Sequence, residues 1–286
     1  MLSILNKLLI ICILFTFTTC SLIDKKEEIP SYIQIDSIKF YTTPKEGDSI
    51  NDFCDVWVYV DDKHIGTFEL PAKFPVLADG KHKISITGGI KLNGIAATRS
   101  AYPFLEPYIT YETLHKGNII RITPIYKYSS NITFCFFENF ENSGLIFETN
   151  TTSDTCLLKV PDNTFKGMYA GKIVLDNNKT SFEAHTIEAY KLPKMAEPVF
   201  LEMVFKTNQE VEIGLYANNT SNASVEKLPI MYLNPTKVWK KIYINLTPTV
   251  ARNNSAEDFR IYFRIEKPTS LETGETMLDN IKLLHL

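Results

Sequence analysis

Apolar and polar residues alternate strictly along several segments of this 286-residue chain, and this pattern limits the fold more than any other feature. The clearest segment covers residues 259–266, where Phe, Ile, Phe and Ile alternate with Arg, Tyr, Arg and Glu. Residues 55–61, 210–216 and 239–246 alternate in the same way. Because successive side chains of a strand point to opposite faces, each segment predicts a strand with one face on a core and one in water. Helical periodicity is nearly absent, so we expect an all-β protein.

Polar turns separate the predicted strands, among them Asp61-Asp62 and Asp79-Gly80. Strands at short, regular intervals favour β-sandwiches, and the 44% of hydrophobic residues supply enough material for sizeable cores. A short polar break, Ser129-Ser130-Asn131, follows the last strand-like run of the first half. We therefore predict two domains, a small Ig-like β-sandwich over 31–128 and a jelly-roll β-sandwich over 131–286.

The first twenty residues predict a targeting segment. Lys7 precedes a compact apolar run over residues 8–15, which is too short to span a membrane and is typical of a signal peptide. The segment ends in Phe-Thr-Thr-Cys at 17–20, which resembles a bacterial lipobox. We therefore predict a lipoprotein signal peptide at 1–19 and a lipid on Cys20. The alternative is an ordinary secretory signal that contains a cysteine.

A polar, charged stretch at 20–30 follows, and its composition is typical of a tether between a lipid and a folded domain. Within it, Lys26-Glu27-Glu28 resembles the surface-export signal of lipoproteins from Bacteroidetes bacteria. The alternative is a solvated linker. With the lipobox, these features predict a protein of the cell envelope that is held at the outer membrane by its N-terminal lipid, on the periplasmic or the surface face.

The cysteines suit that compartment. Cys12 would be removed with the signal and Cys20 would carry the lipid, which leaves Cys54, Cys135 and Cys156. Three cysteines allow at most one bridge, and the predicted pair is Cys135 with Cys156 because both fall in the predicted second domain. The alternative is three free thiols that behave as small hydrophobic side chains. No cysteine or histidine spacing suggests zinc.

Residues 56–89 resemble the PEGA-type surface domain. The resemblance is carried by the Asp61-Asp62 turn, by Gly66 in the return strand, by the proline-bearing crossover over 71–77 and by the run Gly80-Lys81-His82-Lys83-Ile84. PEGA-like domains are non-catalytic modules on bacterial envelope proteins. The resemblance therefore implies a scaffold or adhesion role for the first domain.

The second domain resembles the jelly roll of carbohydrate-binding modules, in the galactose-binding-like group. The resemblance is carried by residues 136–141, 171–175, 239–246 and 278–283, where Asp-Asn-Ile closes the chain. It implies a non-enzymatic sugar-binding module.

The same resemblance implies a structural calcium ion between the first and last strands of the jelly roll. The matching positions are Glu138 and Asp279, which carry the oxygen ligands that calcium prefers. The alternative is that Asp279-Asn280 is a turn at the start of a strand, whose side chains bond nearby backbone amides. We expect no other cofactor.

Two surfaces are candidates for ligand binding. One is a water-facing set on the second domain, where aromatic rings could stack on sugars and arginines could bond hydroxyls. Its members are Tyr216, Tyr243, Arg260, Tyr262 and Arg264. Ordinary cross-strand pairing gives the same pattern without a ligand. The other surface is the aromatic segment 102–111, which would mark a protein partner if exposed and otherwise packs over the end of a sandwich.

No catalytic or nucleotide-binding motif occurs, and a formal net charge of −3 gives no drive toward nucleic acid. We therefore predict a non-enzymatic, lipid-anchored envelope protein that presents a β-sandwich module for glycans or envelope components. The alternative is a structural or adhesion subunit of a cell-surface assembly that binds no sugar.

Overall fold

The computed structural model of the protein describes residues 27–219 and 224–286. Its regular structure is 21 strands and one short helix, which confirms the predicted all-β class. No helix in the described part of the chain is long and apolar enough to cross a membrane. The predicted signal peptide at 1–19 and the predicted lipidation site Cys20 lie outside the described residues. The predicted tether lies outside them too, apart from residues 27–30.

Ten strands form the first half of the described chain, which we call the first sandwich: β1 (Ser31–Ile35), β2 (Lys39–Phe40), β3 (Asp55–Val60), β4 (Lys63–Glu69), β5 (Ala72–Val76), β6 (Gly80–Lys91), β7 (Arg99–Ala101), β8 (Tyr108–Leu114), β9 (Ile119–Arg121) and β10 (Ile125–Tyr126). A five-stranded sheet has the order β4-β3-β6-β7, and β8 pairs with the other half of the long strand β6. It shares a core with a three-stranded sheet of order β5-β1-β9, while β2 pairs with β10.

The strand faces of the first sandwich follow the sequence alternation. The three valines of β3 are buried in a core with the isoleucines of β1, whereas Trp57 and Tyr59 lie on the opposite, outer face. The hairpin from β3 to β4 turns at Asp61 and Asp62, whose φ angles are 49° and 64°. Two positive φ angles are what a tight two-residue hairpin requires, and aspartate tolerates them better than most residues.

Eleven strands and one helix form the second sandwich: β11 (Thr133–Glu138), β12 (Phe147–Thr149), β13 (Leu158–Val160), β14 (Ala170–Leu175), β15 (Ser181–Thr186), β16 (Val199–Thr207), β17 (Val211–Asn219), β18 (Ser224–Leu233), β19 (Lys240–Asn245), α1 (Thr247–Arg252), β20 (Asp258–Glu266) and β21 (Gly274–His285). A six-stranded sheet has the order β13-β14-β21-β16-β19, with β11 also pairing with β21. A five-stranded sheet has the order β12-β15-β20-β17-β18. All these pairings are antiparallel.

The two sheets of the second sandwich enclose one large core. The apolar set of β20 that the alternation predicts is buried in it, namely Phe259, Ile261, Phe263 and Ile265. The polar members of the same strand therefore lie on the outer face of the five-stranded sheet.

A third core lies between the two sandwiches, and we call it the inter-sandwich core. Its buried members come from both halves of the chain: Phe40, Phe53, Ile90, Tyr102, Phe104, Leu105, Tyr126, Tyr128, Phe200, Tyr243 and Leu284. The start of the aromatic segment 102–111 therefore packs between the sandwiches, whereas Tyr111 is 63% exposed. This burial fits the expected alternative to an exposed partner surface.

A group of charged side chains is buried beside these rings, and we call it the inter-sandwich charge cluster: Glu202, Lys241 and Lys282. Glu202 accepts hydrogen bonds from the hydroxyls of Tyr102 and Tyr128 on one oxygen and from Lys241 Nζ, at 2.6 Å, on the other. Burial alone would raise the pKa of Glu202, but the attraction of Lys241 and Lys282 outweighs it and holds that pKa below its usual value. Burial lowers the pKa of Lys282 to about 8.

The predicted disulfide between Cys135 and Cys156 is wrong, because Cys54, Cys135 and Cys156 are all free. Cys135 lies on β11, which pairs with β21 near Leu283. Cys156 lies just before β13. That strand pairs with β14, and β14 in turn pairs with β21 near Met277. Those parts of β21 are roughly 20 Å apart at the rise of an extended strand. A bridge needs Cα atoms within about 7 Å of each other.

Candidate functional site

The outer face of the five-stranded sheet of the second sandwich carries a dense set of polar and aromatic side chains. Antiparallel pairing places Glu212 of β17 opposite Arg264 of β20 and Tyr216 opposite Arg260. On the other side of β20, Glu183 of β15 pairs with Arg264. We call this surface the tyrosine–glutamate face, and its members are Glu183, Glu212, Tyr216, Lys227, Tyr232, Arg260, Tyr262 and Arg264.

Glu183 is one of the two acidic centres of this face. Its carboxylate accepts the hydroxyl of Tyr216, Lys227 Nζ at 2.5 Å and Asn150 Nδ2 at 3.3 Å. Partial burial would raise the pKa of Glu183, but the hydrogen bonds from Lys227 and Tyr216 outweigh it and lower that pKa. The side chain is therefore an ionised acceptor at neutral pH.

Glu212 is the second acidic centre. It accepts the hydroxyl of Tyr262 at 2.6 Å and that of Tyr232 at 2.8 Å, while Arg264 lies 3.5 Å away. Burial would raise the pKa of Glu212, but the two tyrosine hydrogen bonds and nearby cations lower it. In turn, burial and the bond to Glu212 raise the pKa of Tyr262, so its hydroxyl remains a donor. The bond to Glu212 also raises the pKa of Tyr232.

Gly214 sets the position of the central tyrosine. Tyr262 lies opposite Gly214, and a Cβ atom there would meet the Tyr262 ring at 2.4 Å and the carbonyl oxygen of Leu228 at 2.5 Å. The ring therefore packs directly against the backbone at Gly214. Tyr216 covers it with ring centroids 4.9 Å apart, and Lys227 Nζ lies 4.6 Å from its centre.

Not every tyrosine of this face is open to a ligand. Tyr262 is fully buried, so its hydroxyl holds Glu212 while its ring is out of reach. Tyr216 is partly exposed and Tyr232 is 54% exposed. These two rings offer apolar faces beside ionised carboxylates and cationic side chains, a combination suited to a flat, hydroxyl-rich ligand.

The structure brings four of the five predicted ligand-binding residues together and separates one. Tyr216, Arg260, Tyr262 and Arg264 share the tyrosine–glutamate face. Tyr243 lies on β19 in the other sheet, where it is buried in the inter-sandwich core, and its hydroxyl accepts the backbone N–H of Asp52 at 3.0 Å. The prediction that Tyr243 and Tyr262 face water is therefore wrong. Alternation shows which residues share a face, but it does not show what covers that face.

Sequence reasoning missed the acidic and basic partners of the predicted tyrosines. These are Glu183, Glu212 and Lys227, together with Tyr232 on the edge strand β18. The signal for Glu212 was present, because the alternation of 210–216 places it on the same side of the strand as Tyr216. The contact between Glu183 and Tyr216 had no sequence signal, since it depends on β20 lying between their strands.

Glu138 and Asp279, the predicted calcium ligands, are both buried. Glu138 accepts the backbone N–H groups of Phe140 at 2.7 Å and Ile146 at 3.1 Å. Asp279 accepts the N–H of the residue after it at 2.7 Å and that of Lys166 at 3.3 Å. All four carboxyl oxygens thus bond amides. Asp279 lies within β21 rather than at its start, so the alternative of a strand-entry turn is wrong.

These two side chains do not by themselves supply the about six to eight oxygen ligands of a calcium ion. Burial raises the pKa of Asp279 to about 6. Among residues 27–219 and 224–286, no group of three or more His, Cys, Asp or Glu side chains could hold a metal ion. Calcium binding at this position stays a prediction.

No protein family and no curated protein matches the chain. Among solved structures, a xylan-binding domain of carbohydrate-binding module family 22 is 14% identical, with a TM-score of 0.38 over 52% of this chain and 93% of its own. The family 11 module of a Clostridium thermocellum cellulosomal cellulase is 12% identical, with a TM-score of 0.39 over 55% of this chain and 97% of its own. A structure described as a carbohydrate-binding module of the β-sandwich superfamily is 12% identical, with a TM-score of 0.41 over 90% of this chain and 99% of its own. Likenesses of this size carry no argument about what the chain binds.

Proposed function

We propose that the protein binds a glycan on the tyrosine–glutamate face of its second sandwich. The observation that carries the proposal is the pairing of two reachable rings, Tyr216 and Tyr232, with two ionised carboxylates, Glu183 and Glu212. Ring faces pack against the C–H groups of sugars, while carboxylates accept hydroxyl hydrogens. Because hydrogen bonds within the protein hold these groups in place, little side-chain entropy is lost when a sugar binds.

The proposed role is binding without catalysis. A glycoside hydrolase needs one carboxylic acid that keeps its proton near neutral pH, and this requires a raised pKa. On this face the pKa values of Glu183 and Glu212 are both lowered. Neither carboxyl group therefore keeps a proton that it could donate near neutral pH.

In the proposed setting the chain is an envelope lipoprotein of the Bacteroidetes type, anchored at the outer membrane through Cys20. A PEGA/Ig-like domain at 31–128 then carries the binding jelly roll at 131–286 away from the lipid. The supporting observations are the lipobox-like sequence and the polar tether. Cys20→Ala should move the protein out of the membrane fraction of cells, and a variant that stays with the membranes contradicts the lipid anchor.

A glycan array probed with the full chain, purified in detergent, tests the binding proposal. We expect the wild-type protein to bind at least one glycan class and Tyr216→Ala to abolish that binding. Tyr111→Ala is the matched control, since it removes a 63% exposed tyrosine from the first sandwich. A blank array from folded protein, or equal losses in both variants, contradicts the proposal.

The alternative function is a structural or adhesion subunit with no sugar binding. The observation that favours it is the exposure of Tyr111 and Ile109, which lie on the same face of β8 at 63% and 52% exposure. The other rings of that segment, Tyr102, Phe104 and Tyr108, lie in the inter-sandwich core or pack against it. If Tyr111→Ala abolishes pull-down of an envelope protein while Tyr216→Ala does not, the adhesion function is favoured.

A further inference from the structure

A cleft of about 640 Å³ opens between the two sandwiches, apart from the centre of the tyrosine–glutamate face. The loop between β2 and β3 and the turn between β6 and β7 form its wall on the first sandwich. The end of β18, strand β19 and the loop between them form most of the wall on the second sandwich, with Phe165 and Phe205 beside them. Tyr232 alone belongs both to this cleft and to the tyrosine–glutamate face.

Hydrogen bonds between the sandwiches fix the two walls relative to each other. The N–H of Asp52 donates to the Tyr243 hydroxyl at 3.0 Å, and the N–H of Asn93 donates to the Tyr243 carbonyl at 2.9 Å. The Asn93 side chain accepts the N–H of Asn245 at 2.8 Å. With the inter-sandwich core beneath them, these bonds make the cleft a pre-formed feature that a ligand need not organise.

Three partly exposed aromatic rings line the second-sandwich side of the cleft. Trp239 is half-buried, and Phe165 lies beside it with ring centroids 5.9 Å apart at an interplanar angle of 59°. Phe165 is 40% exposed and Tyr232 is 54% exposed. Indole and phenyl faces at this exposure offer apolar surface to a flat ring, beside the polar side chains of the cleft.

The cleft also holds cationic groups without partners. The side chains of Lys91 and Lys240 form no ion pair or hydrogen bond with any part of the chain that the structure describes, whereas Lys241 is paired with Glu202. Asp52 is the one acidic residue among the described lining residues. Two free ammonium groups against one carboxylate favour an anionic ligand.

We propose that this cleft binds a carboxylate-bearing saccharide, such as a uronic acid oligomer. A sugar ring packs on Trp239, and its carboxylate bonds Lys91 and Lys240. The site shares Tyr232 with the tyrosine–glutamate face, but its tryptophan and its two unpaired lysines lie outside that face, so it can be present whether or not that face binds glycans. Aromatic rings can pack on any sugar, whereas the unpaired lysines favour a sugar that carries a carboxylate.

Tryptophan fluorescence provides a local readout, because the chain has two tryptophans and Trp57 lies on the outer face of the first sandwich. In full-length Trp57→Phe protein, the emission reports on Trp239 alone. We expect titration with trigalacturonate to change that emission saturably, and titration with the neutral trisaccharide xylotriose to leave it unchanged. Salt at about 1 M, where the Debye length is about 3 Å, should weaken the trigalacturonate response.

Charge reversal then tests the residues in the same Trp57→Phe background. Lys240→Glu should weaken trigalacturonate binding by about tenfold, the size of one lost charge-assisted hydrogen bond. Lys179→Glu, an exposed lysine on a distant turn, is the matched control and should bind as the parent protein does. Unchanged melting temperatures show that both variants remain folded.

Several outcomes would overturn the proposal. They are no response to trigalacturonate, an equal response to xylotriose, or equal weakening by Lys240→Glu and Lys179→Glu. Tyr216→Ala separates the two sites. If it abolishes binding on the glycan array while trigalacturonate still changes Trp239 emission, the cleft and the tyrosine–glutamate face bind independently.

Discussion

Glu202 and Glu183 have the same kinds of partners in very different surroundings. On one carboxyl oxygen, Glu202 accepts two tyrosine hydroxyl hydrogens and Glu183 accepts one, and each accepts a lysine ammonium on the other oxygen. The Glu202 side chain is 1% exposed and is enclosed between the sandwiches. The Glu183 side chain is 14% exposed, and its lysine partner, Lys227, is 33% exposed.

The difference shows how burial changes the role of one arrangement of side chains. Between the sandwiches no water can replace a lost partner, so the inter-sandwich charge cluster fixes how the two halves meet. On the outer face, water or a ligand hydroxyl can take over a hydrogen bond, so the same groups are available for recognition. The buried version therefore contributes to architecture and the open version to binding.

Removing the carboxylate charge gives the largest expected contrast. Glu202→Gln removes the buried carboxylate charge that faces Lys241 and Lys282, and we expect a loss of about 3–5 kcal/mol in the free energy of unfolding. Glu183→Gln should cost no more than about 1 kcal/mol, because its cations reach solvent. Urea unfolding of the full chain measures both losses. Equal losses would contradict the comparison.

Removing one hydroxyl from each site is a finer test. Tyr128→Phe deletes a 2.7 Å hydrogen bond to Glu202 and should cost about 1.5–3 kcal/mol, as expected for a bond to a buried charge. Tyr232→Phe deletes a 2.8 Å bond to Glu212 at an exposed position and should change stability by less than about 0.5 kcal/mol. Thermal unfolding in the same buffer gives both values. A larger loss in Tyr232→Phe would show that the outer network is structural.

Crowding at Gly214 tests whether the outer face depends on close packing. Gly214→Ala places a methyl group 2.4 Å from the Tyr262 ring, so we expect a loss of about 1–3 kcal/mol and weaker glycan binding. Gly144→Ala is the matched control, because nothing lies within 4 Å of its added Cβ. If both variants have the same stability, the ring position is not set by Gly214.

Lys282 of the inter-sandwich charge cluster should make the stability of the protein depend on pH. Burial lowers its pKa to about 8, below the roughly 10.4 of an unfolded lysine, so between these values the unfolded state binds more protons. Stability of the wild type relative to Lys282→Met should therefore rise by more than about 1 kcal/mol as the pH increases from about 8 to about 10. Urea unfolding of both proteins across that range measures it. A flat difference would show that Lys282 is not desolvated.

Much of the fold could be predicted from the sequence, because alternation is a local property of the chain. The buried set of β20 and the Asp61-Asp62 hairpin both follow from neighbouring residues. The Cys135–Cys156 bridge was wrong because it was based on domain membership, whereas a bridge needs two strand positions to be close in space.

The candidate site could be predicted only in part, and the two sheets of the second sandwich show why. Tyr216 and Tyr243 have equivalent places in their alternating segments. The first sandwich packs on Tyr243 and leaves Tyr216 partly open. Glu183 reaches Tyr216 across β20, through an order of strands that no local pattern encodes.

The sequence by itself determined that the chain is all β and which side chains share a face of each strand, because backbone pleating fixes both within a few residues. The tertiary structure alone decided which of those faces meet water, which meet the other sandwich and which glutamate is enclosed. Those outcomes depend on contacts between residues far apart in the chain. For that reason one tyrosine–glutamate–lysine group joins two sandwiches, while the other lies open on the surface.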